Sequence, residues 1–279
     1  MKILTIGLLI LVVIGGQLNA DDHSAANKKI TLSLDGTSEV SVKGFIAPIG
    51  DAVSNSGKNW DALTNMRVVE PEKQYPVLVF HAFLPDKPVS VGEIWKVEQD
   101  GALELLRQLH PNPSLNMHIN VGDSYGLWAC LRAYNDEFAD IVFRIHAEFV
   151  FKDGWFTPSQ FAGHLVINRV KESVAFFVMR VPDGPVNFDF NRTTSHGRTA
   201  GAGFCSQVEL RSGLQDTLEN VEFGTSITQE AAEHTLALRF YKSQEINWVP
   251  PDEVLEIVQA QQKPIHAISI DGPLMDESC

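Results

Sequence analysis

The chain has 279 residues, of which 44 % are hydrophobic and 20 % are charged, a globular composition that excludes disordered, collagen-like and fibrous proteins. Lys and Arg number 22 against 35 Asp and Glu, a formal net charge of −13, and the basic surface typical of nucleic-acid binders is therefore not expected. Three cysteines are too few for a disulfide-rich scaffold, and their odd number leaves at least one thiol without an internal partner.

Residues 1–20 have the pattern of a secretory signal. Lys2 precedes an apolar run over residues 3–14, and a small-residue exit at Ala20 leads directly into two aspartates. The apolar run is shorter than the roughly 20 residues that a bilayer-spanning helix needs. We therefore expect cleavage after Ala20 and export to a periplasm, the extracellular space or the endoplasmic reticulum, where disulfides persist. The alternative is retention of this segment as an anchor, which would associate the protein with a membrane.

Residues 21–74 are predicted to form a polar N-terminal region. Its apolar alternation at Ile30, Leu32 and Leu34 predicts one strand, which breaks at Asp35. Residues 55–59 are rich in turn formers and are interpreted as a loop.

A second unit is predicted to begin at residue 75 with a short buried strand over residues 77–80. Leucines then recur every third residue over 101–110, which predicts a helix with Asp100 as its cap.

The rest of this unit, which extends to residue 220, is predicted to be an antiparallel β domain. Its clearest strand is residues 141–151, in which the odd positions are apolar and Arg144, His146 and Glu148 share the other face. A hairpin-type turn at Asp153-Gly154 closes it. Similar strands are predicted at 127–134, 164–170, 174–181, 186–190 and 204–210, followed by a connector over 211–220.

Residues 221–279 differ from the strand-rich region before them, because helix patterns appear here. Ser226 and Gln229 have the spacing of a capping box and predict a helix to about residue 241. A second helix is predicted around residues 252–262, and residues 265–270 are predicted to be a buried strand. One helix and one strand cannot bury their own surface, so this region is interpreted as the first half of a larger domain. The alternatives are an artificial end point and a strand that completes the preceding sheet.

Two stretches resemble the selenoprotein N family. Residues 153–167 contain Trp155-Phe156-Thr157-Pro158 and Gly163-His164, and residues 228–279 end in Ser278-Cys279. The resemblance covers roughly residues 75–279, and it implies a thioredoxin-like fold for residues 221–279 with a selenocysteine directly after Cys279. The expected fold class is therefore α+β, with a strand-rich antiparallel domain followed by a truncated thioredoxin-like α/β domain.

The resemblance implies an exported thiol/selenol–disulfide oxidoreductase in which Cys279 is the catalytic residue, acting as the resolving thiol. Its partner would be a protein disulfide of unknown identity, and no cofactor or metal is expected beyond the selenocysteine. We expect the chain up to Cys279 to be inactive or weak by itself, because the helix that would stabilise the thiolate follows this residue. Apolar surface left by a missing half predicts homodimerisation. The alternatives are that Cys279 is an incidental thiol and that the chain is a non-catalytic exported β-rich binding or scaffold module.

The remaining cysteines and histidines point to no further chemistry. Cys130 and Cys205 lie on predicted strands, and either a disulfide between them or two buried free thiols is consistent with an exported protein. None of the nine histidines has the ligand spacing of a zinc site. Residues 33–45, the nearest counterpart of the EF-hand in animal members of the family, lack its alternating acidic ligands and its final Glu. They predict a strand and a turn.

Overall fold

A computed structural model describes residues 28–49, 55–115, 126–184, 186–214, 221–240, 249, 253–262 and 265. The strands in these ranges are β1 (Glu39–Ile46), β2 (Glu72–Pro76), β3 (Ile94–Lys96), β4 (Pro113–Ser114), β5 (Leu127–Tyr134), β6 (Phe138–Ile145), β7 (Glu148–Phe151), β8 (Gly154–Pro158), β9 (Phe161–Asn168), β10 (Ser173–Arg180), β11 (Phe188–Thr194), β12 (Gly197–Gly203), β13 (Val208–Ser212) and β14 (Thr225–Ser226). The helices are α1 (Asn55–Lys58), α2 (Asp61–Thr64), a 3₁₀ helix (Val77–Phe83), α3 (Gln99–Leu109), α4 (Gln229–Ala237) and α5 (Val254–Gln261).

The strands form two antiparallel sheets. The large sheet has the order β14-β5-β6-β9-β10-β13-β1-β2, and β3 pairs beside β14 with the same edge of β5. The small sheet has the order β12-β11-β8-β7-β4. This architecture confirms the strand-rich antiparallel prediction and is consistent with an α+β class. Because β1 pairs with both β2 and β13, the large sheet runs across the expected boundary at residues 74–75.

One continuous hydrophobic core lies between the inner faces of the two sheets and the segments packed on them. Phe83, Phe143 and Phe177 pack together at the centre of the large sheet, with ring centroids 4.6–6.0 Å apart. Trp60 packs against Phe151 and Phe190 of the small sheet. Burial of one such side chain contributes about 1.5–3 kcal/mol, so this aromatic core holds the sheets in place.

The predicted strand over residues 141–151 is wrong as a single element. It is two strands in two sheets: Ile145 at the end of β6 pairs with Leu127 in the large sheet, whereas Phe149 of β7 pairs with Phe156 in the small sheet. Ile145, Ala147 and Phe149 are all buried, so the alternation of apolar residues continues through the crossing. A period of two reports which face is buried and contains no signal for a change of sheet.

The predicted buried strand over residues 77–80 is also wrong. This segment begins the 3₁₀ helix, in which Val77, Phe80 and Phe83 are fully buried and Leu78 is 57 % exposed. Side chains three residues apart eclipse one another in a 3₁₀ helix, which places these three on the core side.

Smaller corrections concern ends and caps. Residues 55–58 form α1 instead of a loop, and β13 extends to Ser212 into the predicted connector. Glu98, and not Asp100, is the N-cap of α3. Thr228, and not Ser226, caps α4, because its hydroxyl accepts a hydrogen bond from the Ala231 amide. Strands β2, β3, β4, β8, β12 and β14 were not predicted from the sequence.

The region expected to be thioredoxin-like is only partly described. Helix α4 confirms a helix there and packs on the outer face of the large sheet, against β5 and β6. Helix α5 confirms the second predicted helix. The predicted strand over residues 265–270 lies outside the described residues except for Ile265, which is 46 % exposed. The thioredoxin-like arrangement therefore stays a prediction. None of the described helices is long and apolar enough to cross a membrane.

Candidate functional site

Among the residues that the structure describes, one half of the outer face of the large sheet is covered and the other half is open. On the covered half, Trp128 and Cys130 of β5 and Val142 of β6 pack against Ala232 and Leu236 of α4. The open half lies over β9, β10, β13 and β1. The polar residues between these halves are the candidate functional site.

A buried carboxylate organises this border. Asp140 of β6 is fully buried; Arg132 Nε donates to one of its oxygens, and His164 Nδ1 lies 3.0 Å from the other. The side chains of Arg132 and His164 are 16 % and 17 % exposed. We call these three residues the Asp140 cluster. A buried carboxylate is tolerated only when paired, so each partner compensates its desolvation.

The Asp140 cluster gives His164 a fixed orientation. When Nδ1 carries the proton it donates to Asp140, and Nε2 is then the ring nitrogen left to face other groups. Beside the cluster, Arg144 Nε donates to Gln160 Oε1, and both side chains are buried. The face on which Arg144 was predicted is thus covered by other residues. The sequence analysis missed Asp140, although an acid flanked by apolar residues within a strand was a usable signal.

The open half of the face forms a groove with a volume of about 710 Å³. Four residues that line it stand in one row across the sheet. His164 pairs with Val178, Val178 with Arg211, and Arg211 with Lys43, on strands β9, β10, β13 and β1. The row spans three strand spacings, or about 14 Å. Arg180, Glu209, Phe176 and Leu214 also line this groove, which we call the outer groove.

The two described cysteines are buried free thiols. Cys130 is 0 % exposed in the cluster beneath α4, and Cys205 is 3 % exposed in the main core. The free-thiol alternative is confirmed, and the Cys130–Cys205 disulfide is wrong. Burial, with a contribution from Asp140, raises the pKa of Cys130 to about 11, and burial also raises the pKa of Cys205. Neither residue forms the thiolate that disulfide exchange needs near neutral pH.

The predicted catalytic residue, Cys279, lies outside the described residues together with Ser278. The structure therefore does not test its role. Among the described ranges, no group of three or more His, Cys, Asp or Glu side chains could hold a metal ion. Residues 33–45 form a turn and strand β1, and Asp35 accepts from the backbone and hydroxyl of Thr37 within that turn. The strand predicted over residues 30–34 is wrong, because only Ile30 pairs there, in an isolated bridge to Val89.

The first stretch of resemblance contributes directly to the candidate site. Residues 153–167 form β8 and most of β9, and they supply both Gln160 and His164. Gly163, beside His164, lies where a Cβ atom would be 2.2 Å from the Val178 carbonyl oxygen. This block therefore combines close strand packing with the polar contacts of the outer face.

Comparison with known proteins gives one consistent match. Selenoprotein N of Danio rerio is 28 % identical over 210 residues, which cover 63 % of this chain and 37 % of that protein. Selenoprotein N of Homo sapiens is 25 % identical over 281 residues, covering 80 % of this chain and 46 % of that protein. The chain is a relative of selenoprotein N.

This selenoprotein N relative spans less than half the length of the curated proteins that it matches. No family model and no solved structure matches the chain. The resemblance inferred from residues 153–167 and 228–279 is confirmed at the level of the relatives.

Proposed function

We propose that this selenoprotein N relative takes part in thiol/selenol–disulfide exchange outside the cytosol, with Cys279 as its catalytic thiol. The observation that carries the proposal is its similarity to proteins named selenoprotein N. The cysteine inventory supports the assignment of Cys279. The chain has three cysteines, and burial keeps two of them protonated, which leaves Cys279 as the thiol available for exchange.

The proposed exchange uses a selenocysteine next to Cys279. The selenolate attacks one sulfur of a substrate disulfide, so that a Se–S bond forms, the S–S bond breaks and a substrate thiolate leaves. The Cys279 thiolate then attacks the selenium, which releases the second substrate thiolate and closes a Se–S bond within the protein. The substrate gains two electrons and the Cys–selenocysteine pair loses two. An external dithiol restores the reduced pair.

Export belongs to the same proposal and is supported by the signal-like residues 1–20. Outside the cytosol, disulfides of other proteins persist and can serve as substrates. N-terminal sequencing of the protein purified from its native compartment checks this point. A mature chain that begins at Asp21 is expected, and an intact Met1 would contradict cleavage.

The activity test uses the full translation product of the gene, made in cells that insert selenocysteine at UGA codons. Reduction of insulin disulfides by dithiothreitol is followed with the wild type and with Cys279→Ser. The wild type should accelerate this reduction, and we expect Cys279→Ser to abolish the acceleration. Cys205→Ala is the matched control, because a buried thiol with a raised pKa should leave the rate unchanged.

A second measurement examines the assignment of the thiol. Iodoacetamide should label Cys279 in the native protein and reach Cys130 and Cys205 only after unfolding in urea. Equal rates for the wild type and Cys279→Ser, or labelling of Cys130 in the native state, would contradict the proposed role.

The second candidate function is a non-catalytic exported binding module. The outer groove favours it, because a groove of about 710 Å³ offers a surface on which a ligand can bind. Absence of any selenium- or Cys279-dependent activity, together with ligand binding in the groove, would support this candidate over the oxidoreductase.

A further inference from the structure

The outer groove has a charge opposite to that of the whole chain. Its lining includes three cationic side chains, Lys43, Arg180 and Arg211, and one acid, Glu209. The protein as a whole has 35 acidic against 22 basic residues. A local excess of cations on an acidic protein attracts anionic ligands to this face.

The arrangement of two of these cations is unfavourable for the stability of the fold. Lys43 and Arg211 are direct cross-strand partners, and like charges in that position are destabilising. Arg211 is partly compensated, because its Nε lies 3.6 Å from Glu209 and its guanidinium lies over the Phe45 ring. Within the described residues, the side chains of Lys43 and Arg180 have neither an ion pair nor a side-chain hydrogen bond, and both residues are exposed.

One acid near Lys43 does not change this balance. Glu72 of β2 lies opposite Lys43 on its other side, but its carboxylate is 2.7 Å from the Ser41 hydroxyl and forms no ion pair with Lys43. An anion lying across β13 would meet Arg211 and Lys43 on adjacent strands, with Arg180 one strand further on. Arg180 is the direct cross-strand partner of Glu209 and lies one row beyond Arg211, so the three cations occupy two adjacent rows of the groove.

The shape of the outer groove indicates which kind of anionic ligand fits it. Small-molecule sites are concave and usually bury about 70–90 % or more of the ligand surface. Here the floor is the flat face of four strands: Val178 stands beside Arg211, Phe176 lies one row further from Arg180 and is 6 % exposed, and Leu214 at the rim is 74 % exposed. An elongated ligand lying along the row, with one side in solvent, fits this surface better than a compact one.

We propose that the outer groove binds an acidic, extended polypeptide segment of a partner protein. Carboxylates of the segment pair with Lys43, Arg180 and Arg211, and its aliphatic portions lie over Val178 and Leu214. The proposal is independent of the chemistry at Cys279, since none of these residues belongs to the proposed exchange site.

The test uses the full chain and fluorescence anisotropy of a labelled poly-glutamate peptide, with a poly-glutamine peptide of the same length as the neutral ligand. The double variant Lys43→Gln/Arg180→Gln should weaken poly-glutamate binding about tenfold, which corresponds to about 1.4 kcal/mol. Lys87→Gln, an exposed lysine outside the groove, should leave it unchanged. Binding should be lost at about 1 M salt, where the Debye length is about 3 Å.

Three results would overturn the proposal. The first is equal binding of poly-glutamine, which would show that charge is not recognised. The second is equal affinity of the groove double variant and Lys87→Gln, which would place the peptide elsewhere. The third is the absence of poly-glutamate binding while inorganic tripolyphosphate protects the protein against thermal unfolding, which would identify a small-anion site. Circular dichroism spectra identical to the wild type confirm that each variant is folded.

Discussion

Removal of the Asp140 charge is the most direct test of the outer-face architecture. In Asp140→Asn the side chain keeps its shape, and its amide oxygen can still accept from Arg132. Its NH₂ group, however, faces the His164 nitrogen that lies 3.0 Å from the carboxylate in the wild type. One charge-assisted hydrogen bond is weakened and the other is lost, and each such bond contributes about 1.5–3 kcal/mol.

We expect Asp140→Asn to lower the free energy of unfolding by about 3 kcal/mol, the low end of the cost of breaking a buried ion pair. The low end applies because Arg132 and His164 are 16 % and 17 % exposed and can regain some hydration. Urea unfolding followed by the fluorescence of the five tryptophans measures the change. At a slope of about 1–3 kcal/mol per molar urea, the midpoint should fall by at least about 1 M.

Two further variants make this test decisive. Glu70→Gln removes one partner of a surface pair, in which Glu70 lies 3.6 Å from Lys73 and the two side chains are 48 % and 24 % exposed, and should cost about 0.5 kcal/mol or less. The double variant Arg132→Gln/Asp140→Asn should lose less than the sum of its two single variants, because the second change no longer leaves an unpaired charge. If Asp140→Asn costs no more than Glu70→Gln, solvent screens the Asp140 cluster and the burial reasoning is refuted.

Two other predictions concern packing and pH. Gly163→Ala would place a Cβ atom 2.2 Å from the Val178 carbonyl oxygen and 2.3 Å from Phe143 Cζ, and should cost about 1–3 kcal/mol of stability, measured by thermal unfolding. Gly224→Ala is the control, because a Cβ atom there would have nothing within 4 Å. Equal melting temperatures of the two variants would contradict the close approach at Gly163. His110 packs between Phe149 and Phe151, and burial lowers its pKa, so the unfolded chain binds the proton first as the pH falls below about 6.5. The free energy of unfolding, measured by urea titration, should therefore decrease as the pH falls from about 7 to about 5. This dependence on pH should be weaker in His110→Leu, and an identical dependence in the two proteins would contradict the assignment.

The outer face shows why residues of the candidate functional site were not predicted from the sequence. Residues 127–134 were predicted as a strand with the bounds that β5 has in the structure, and the alternation of side chains along a strand places Trp128 and Cys130 on one face of it. Alternation does not show what covers that face. It is α4, from about a hundred residues further along the chain, that buries Cys130 and so raises its pKa. Cys279, found through the resemblance and not through periodicity, lies outside the described residues.

The sequence by itself determined the antiparallel β-rich class, strands β5, β9, β10, β11 and β13 to within a few residues, helices α3 to α5 and the relationship to selenoprotein N. These features depend on local patterns and on long ordered motifs, which are read without knowledge of distant contacts. Only the tertiary structure decided that residues 141–151 divide between two sheets, that Asp140 is paired by Arg132 and His164, and that Lys43 and Arg211 stand side by side. The physical reason is that burial, ion pairing and cross-strand register arise between residues distant in sequence, whereas a periodic pattern reports only which face of each element is apolar.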